Sequence, residues 1–282
     1  MLTRPGLPIA LRIVETTAVR GAEDLACEAI GMGADLVIAA GGDGTLNGVI
    51  NGVGRAGVTV GLIPLGTGND FARGLGLPRT VEGALAVIAE GRVRSLDVGL
   101  CRSRRFINVA GCGFDAAVAE RINRGLRSVS GTTAYVASVL ATLMLFRPAD
   151  VTVSVDGVQT RGPTMMCAIA NGTGYGGGMR IAPDARLDDG LFDVCVIGAC
   201  TRMEFVRSLP LVFRGAHVDH PKVTMIRGRT VEVASDPPLP VLVDGELAGR
   251  TPARFVMEPA GVRFVVPLRM SGVTPARGGP RA

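Results

Sequence analysis

The sequence predicts an α/β fold in two parts: a doubly wound, Rossmann-like unit, then an antiparallel, β-sandwich-like unit. Three observations carry that expectation. Between residues 22 and 101, short apolar runs alternate with stretches of helical period, the pattern of a parallel sheet covered on both faces. After about residue 106 the helical stretches thin out and turn-bounded strands take over. Glycine supplies 40 of 282 residues, about twice its average usage and without a triplet period, which demands many tight turns and loops of bare backbone.

Each element follows from its local pattern. Residues 22–33 (AEDLACEAIGMG) have helical period and close at glycine, and 35–40 (DLVIAA) form a buried strand. A glycine-rich turn leads into a helix over about 45–53. Residues 58–64 (VTVGLIP) make a second buried strand, closed by the loop 65–70. A helix over 80–90 and a strand over 94–101 complete the α/β series. Beyond it, long helices are expected at 131–146 and around 201–214. Asp156-Gly157 marks a hairpin within 151–159. Further strands fall at 165–170, 191–198, 230–234, 241–243 and 254–257. The expected division is 1–106 plus 262–271 for the α/β unit and 107–261 for the β-rich unit, with 272–282 as a disordered tail.

Composition narrows the function. With 47% hydrophobic residues and mean hydropathy +0.35, disorder along the whole chain is excluded. Thirty basic against 25 acidic residues give a net charge of +5, which suits phosphates or an acidic membrane surface. Two tyrosines, no tryptophan and no interleaved basic run argue against nucleic acid. The six cysteines contain no CxxC pair and read as buried, reduced thiols of a cytoplasmic protein. There is no secretory h-region, and the longest apolar stretch, 134–146, is too short for a bilayer and contains Ser138 and Thr142. A soluble protein is expected.

Two segments point to chemistry. Gly41-Gly42-Asp43-Gly44-Thr45 lies between a strand and a helix, where glycine amides and a helix N-terminus can face phosphate oxygens. Asp43 would be repelled there by phosphate alone; it makes sense with Mg²⁺ between, as a proton acceptor, or as a plain helix cap. The second segment, Pro64-Leu65-Gly66-Thr67-Gly68-Asn69-Asp70-Phe71-Ala72, ends the next strand, so both loops belong to one cleft at the sheet's C-terminal edge. Asn69-Asp70 also suits the cap of a short helix. Asp97 in SLDVG, Asp189 in RLDDGLFD, and Asp244 with Glu246 in VDGE read singly as turns; their company with the first two loops gives them interest.

Other chemistries are excluded by what surrounds their motifs. No GK[ST] follows a glycine loop, so there is no Walker A site. Gly172 to Gly177 fits GxGxxG, but the residues after it cannot form the helix a dinucleotide site needs, which leaves a tight turn or a substrate-facing loop. His217 and His220 lack a third ligand nearby and are expected as exposed non-ligands. No GxSxG supports a serine hydrolase.

GGDGT, PLGTGNDFA, NVAGCGFDAAVA, NGTGYGGGMRIAPDARLDDGLFDV and VDGE, in that order over about residues 15–265, resemble the diacylglycerol kinase catalytic-domain family, which includes soluble bacterial lipid kinases and is related to the sphingosine and ceramide kinases. GGDGT is shared with NAD kinases and phosphofructokinases; the PLGTGNDFA and DGLFD segments are the specific ones. The resemblance implies ATP-dependent phosphorylation of a lipid hydroxyl with Mg²⁺. It matches the nucleotide loops to Gly41, Gly42, Asp43, Gly44, Thr45, Leu46, Asn47, Gly48, Thr67, Asn69 and Asp70, with Thr17 as a further contact. It implies a structural Mg²⁺ on Asp189 and the carbonyls of Arg186 and Leu191, and matches Asp70 and Asp97 to acids of a Mg²⁺–water network. The proton acceptor matches Glu246, with Asp244 beside it, or Asp43. Relatives carry a strand and an NPxSG-type loop before the strand matching residues 11–17; the expectation is an earlier start of translation or a nucleotide pocket lacking that part. An NAD kinase-like enzyme and a non-catalytic lipid or nucleotide sensor are the alternatives. Arg121, Arg124 and Arg127, ahead of the apolar 131–146 stretch, suggest contact with an anionic membrane surface, against the plainer reading of a core helix with a solvated arginine face.

Overall fold

The computed structural model describes residues 10–125, 139 and 141–268. Its first half alternates α1 (Ala22–Gly31), β1 (Leu36–Gly41), α2 (Asp43–Val53), β2 (Thr59–Pro64), α3 (Asp70–Leu75), α4 (Val81–Glu90) and β3 (Val93–Cys101). β1 and β2 pair in parallel, as an unbroken apolar strand flanked by helices dictates. Thr80 caps α4 by accepting from the Gly83 amide, which is why this helix starts where a threonine precedes its apolar period.

The second half is mainly antiparallel: β4 (Arg104–Phe106), β5 (Val109–Gly113), α5 (Phe114–Gly125), β6 (Ala149–Val155), β7 (Val158–Ala170), β8 (Phe192–Gly198), α6 (Arg202–Arg214), a 3₁₀ turn (Ala216–Asp219), then β9 (Val223–Gly228), β10 (Thr230–Asp236), β11 (Pro240–Val243), β12 (Glu246–Arg250) and β13 (Ala253–Val265). Asp156 and Gly157, both at positive φ, turn β6 into β7 as the hairpin signal requires. Thr201 and Glu204 close a capping box on α6.

All these strands join one sheet, ordered β1-β2-β13-β10-β6-β7-β5-β11-β12, with β3 on β13 and β8 on β7. β13 is the seam. It pairs antiparallel with β3 and β10 and, through Arg263 and Phe264, parallel with β2. β13 carries a bulge, with a register shift between Glu258 and Val262. One apolar cluster fills the space between the parallel strands and their helices, a second lies within the antiparallel strands, and a third sits under α5 and α6.

Several expectations are corrected. Residues 11–17 form no strand; Leu11 and Ile13 are exposed, and Thr17 ends the segment in a turn, its Oγ1 accepting from the Val19 and Arg20 amides. A strand needs a paired neighbour, and β1 pairs only with β2 among the described residues. Cys27 is exposed rather than buried, whereas Cys101, Cys112, Cys167 and Cys195 are buried. His217 is buried, not exposed; its Nε2 lies 3.1 Å from the Ile181 carbonyl. Most of the expected 131–146 helix, Arg127 and the 272–282 tail lie outside the described residues, as does the Arg124 side chain; residues 141–145 are helical and Arg121 is exposed on α5.

Candidate functional site

β1 and β2 end level, Gly41 opposite Pro64, and the Leu65 amide reaches the Gly41 carbonyl at 2.9 Å. The two loops then touch through glycines. A Cβ on Gly66 would stand 2.5 Å from Gly42 Cα, and one on Gly41 would stand 2.4 Å from Thr45 Oγ1. A side chain at Gly66 would force the loops apart, and one at Gly41 would collide with Thr45 of its own loop. Gly42 is the N-cap of α2 and offers no side-chain acceptor, so the first-turn amides of Asp43, Gly44 and Thr45 keep their donor capacity for a ligand.

Asp43 is helical, in the first turn of α2 rather than the turn before it. Its carboxylate caps another helix: Oδ2 accepts from the Asp70 amide and Oδ1 from the Phe71 amide, both at 3.0 Å, at the start of α3. Asn69, in the left-handed region at φ 50°, closes the same loop on itself: Oδ1 accepts from the Gly66 amide at 3.0 Å and Nδ2 donates to its carbonyl at 2.6 Å. Asp70 Oδ2 accepts from the Gly177 amide at 2.8 Å, and Oδ1 lies 3.4 Å from Arg73 Nη1. Burial, with the Asp43 charge adding to it, holds the Asp70 carboxyl above the usual carboxylate range. A Cβ on Gly68 would meet Asp43 Oδ2 at 3.3 Å and Asp70 Oδ2 at 3.6 Å, so both carboxylates border the space over that glycine.

The other nucleotide-loop residues scatter in role. Leu46 is core, and Gly48 is where α1 lies on α2, since a Cβ there would be 2.9 Å from Ala22 Cβ. Thr67 and Thr17 are exposed. Asn47 points across the molecule, donating to Asp244 Oδ2 at 2.9 Å and to the Arg105 carbonyl at 3.0 Å.

Asp244 collects three more donors: the amides of Ile107 at 2.8 Å and of Asn108 and Val109 at 3.0 Å each. Burial outweighs these four bonds and pushes its carboxyl up to about 6. It therefore ties α2, β5 and β11 together at the edge of the cleft. Glu246 is exposed and pairs with Arg104 Nη2 at 3.3 Å, while Arg104 Nη1 holds Glu23 at 2.5 Å.

Asp97 lies apart from the two loops. Its oxygens accept from the Gly190 amide at 2.6 Å and the Ala260 amide at 2.8 Å, pinning the DGL turn to the bulge of β13. Asp189 Oδ1 accepts from the Leu191 amide at 3.1 Å, and Oδ2 is paired with Arg227. Arg227 is the register partner of Asp193 and bridges to it at 3.2 Å. The Asp189 carboxylate thus faces the Arg227 guanidinium at this turn. Arg186 ion-pairs with Asp188 at 3.5 Å.

A cavity of about 440 Å³ opens beside the loops. Asp43, Asp70, Asp115 and Asp244 line it together with an apolar wall of Phe114, Val118, Ile122, Met166, Phe205 and Val212, among others. Asp115 is a site residue the sequence reading passes over. It opens α5 directly after β5, accepts from the Ala116 amide at 2.8 Å and the Tyr175 hydroxyl at 3.0 Å, and is held above the usual range by burial. Its signal was available, because an acid at a strand-to-helix junction after glycines is the same feature that marks Asp43. The GxGxxG loop does face the cleft, through Tyr175, Gly176 and the Gly177 amide on Asp70.

Comparison with known proteins agrees with this architecture. Residues 6–101 match the model of the diacylglycerol kinase catalytic domain, and 108–266 that of the YegS C-terminal NAD kinase beta sandwich-like domain. The chain is 33% identical over 255 residues to a diacylglycerol kinase of Bacillus subtilis (strain 168), covering 89% of this chain and 84% of that one. It is 35% identical over 224 residues to a diacylglycerol kinase of Staphylococcus aureus (strain JH9), covering 79% and 71%. The crystal structure of a diacylglycerol kinase from Bacillus anthracis (strain Sterne) shares the fold, with TM-score 0.71 at 23% identity over 90% of this chain and 84% of that one.

Proposed function

Since the chain belongs to the diacylglycerol kinase family, phosphotransferases with an alcohol acceptor, we propose that it transfers the γ-phosphoryl group of Mg²⁺-ATP to the hydroxyl of a diacylglycerol-like lipid. The observation that carries this reading is the cavity. Asp43 and Asp70 of the glycine loops line it with Asp115 and Asp244, and many apolar side chains line it too, with Glu204, Lys222 and the two histidines among them. A lipid would set its hydroxyl among the acids and its chain against Phe114, Val118, Ile122 and Phe205. The α/β unit would hold the nucleotide and the β-rich unit the acceptor.

The chain's own groups divide the work. First-turn amides of α2, uncapped by any side chain, receive phosphate oxygens. Asp70, desolvated and beside Asp43, is a carboxylate that a hard divalent cation would relieve. Bound there with the nucleotide, Mg²⁺ would neutralise phosphate charge as transfer proceeds. Of the three candidates Asp43 and Asp244 line the cavity and Glu246 does not; Asp244 already accepts four hydrogen bonds and Asp43 two, so we assign acceptance of the hydroxyl proton to Asp43.

Release of ADP from Mg²⁺-ATP, measured with and without diacylglycerol in mixed micelles and followed by product identification, tests the proposal. Acceptor-dependent ADP release with a phosphorylated lipid is expected. Phosphorylation of NAD instead, or ATP binding without turnover on any lipid acceptor, would overturn it in favour of an NAD kinase-like enzyme or a sensor.

A further inference from the structure

Helix α6 carries apolar side chains on two opposite sides. At about 3.6 residues per turn, Phe205, Ser208, Leu209 and Val212 share one side, and all four line the cavity. Met203, Val206 and Phe213 fall on the other and are 59, 42 and 50% exposed. Arg202 donates to the carbonyls of Leu143 at 3.2 Å and Met144 at 2.5 Å, which brings Met144 and Leu145, 60 and 66% exposed, to the start of this outer side. A cluster of large exposed apolar groups marks a contact surface rather than scatter.

Charge says what the contact is. Arg207 and Arg214 lie on the exposed side, and Arg147 follows Leu145 by two residues. Among the described residues none of these three makes an ion pair. The one acid of α6, Glu204, is held by Lys222 at 2.9 Å and the Thr201 amide at 2.7 Å. A second copy docking this face on itself would bring both copies' Arg207 and Arg214 to one interface. An anionic bilayer meets both needs at once, with apolar side chains entering at the headgroup boundary and arginines meeting lipid phosphates.

We propose that the outer side of α6, with Met144 and Leu145, is the surface by which this protein docks on an anionic lipid bilayer. Docking there puts the cavity wall one helix away from the membrane that supplies the lipid. The proposal rests on the lipid-acceptor reading for that purpose alone. Vesicle binding is read without turnover, so either can fail while the other stands.

Co-sedimentation of the full chain with phosphatidylcholine vesicles, with and without phosphatidylglycerol, is the experiment. Binding to the anionic vesicles that weakens in high salt is expected. Met203→Ser with Phe213→Ser should weaken it roughly tenfold or more, and Arg207→Gln with Arg214→Gln roughly fivefold per arginine, each with unchanged thermal melting. The arginine pair is wholly on the surface, so the test survives if the apolar pair disturbs folding. Equal binding by the arginine variant, absence of binding by the parent chain, or a solution dimer dissolved by these substitutions without vesicle binding would each overturn the proposal.

Discussion

Replacing Asp43 separates two contributions made by one carboxylate. In the structure it accepts from the Asp70 and Phe71 amides at 3.0 Å each and so caps α3. Asp43→Ala leaves those amides without a side-chain acceptor, at a cost of about 1–2 kcal/mol. Unfolding entropy of about 2.1 cal/mol/K per residue, taken over 282 residues, makes that a fall in Tm of about 2–3 °C. The same change removes the proposed proton acceptor, a loss of roughly 10²–10⁴-fold in kcat. Asp43→Asn separates them only in part, because its one carboxamide oxygen can accept from one of the two amides, its Nδ2 cannot accept from the other, and it cannot take the proton. Its Tm should fall no further than that of the alanine variant, while kcat falls as far as in it. ADP release in mixed micelles and thermal melting are the two readouts. Turnover by the asparagine variant within about tenfold of the parent would refute the chemical role; an unchanged Tm in the alanine variant would refute the cap.

Two further outcomes follow from the other carboxylates. Asp244→Ala strands four donors; at about 1–3 kcal/mol for each that stays dry, the loss should be about 3–6 kcal/mol and be visible as a Tm lower by about 5–10 °C. A fall of under about 2 °C would mean that water replaces the carboxylate without cost. Burial pushes Asp193 up to about 6, against 3.8 for the unperturbed group, despite Arg227 beside it. The folded chain then binds more protons than the unfolded one between those values, so stability falls as pH rises through about 4 to 6 and levels off above, by about 3 kcal/mol at most from this group. Glu204, lowered to about 2 by its Thr201 and Lys222 hydrogen bonds, acts in the opposite sense below that window. Denaturant titrations at pH 4.5 and 7 should show a smaller fall in Asp193→Asn than in the parent; an equal fall would count against a buried, proton-binding Asp193.

What the sequence determined by itself is what short-range pattern controls. Apolar period placed α1, β1, α2, β2 and α4, threonines marked the starts of α4 and α6, and Asp156-Gly157 turned β6 into β7. The pairing of the two glycine loops was legible for the same reason, since strands β1 and β2 each end in one and are parallel neighbours. Tertiary structure decided which distant side chains meet. Asp97 becomes an anchor for the Gly190 and Ala260 amides, Asp189 meets an arginine 38 residues away, and Asp244 is reached by Asn47 from 197 residues off. His217 meets a carbonyl from beyond β8, and the Pro259-Ala260-Gly261 bulge is held by the Ala260 amide on Asp97. The apolar cavity exists only because α5 and α6 close over the sheet from opposite directions along the chain. No local window encodes such contacts, because strand register and helix placement are set by burying the whole apolar surface at once.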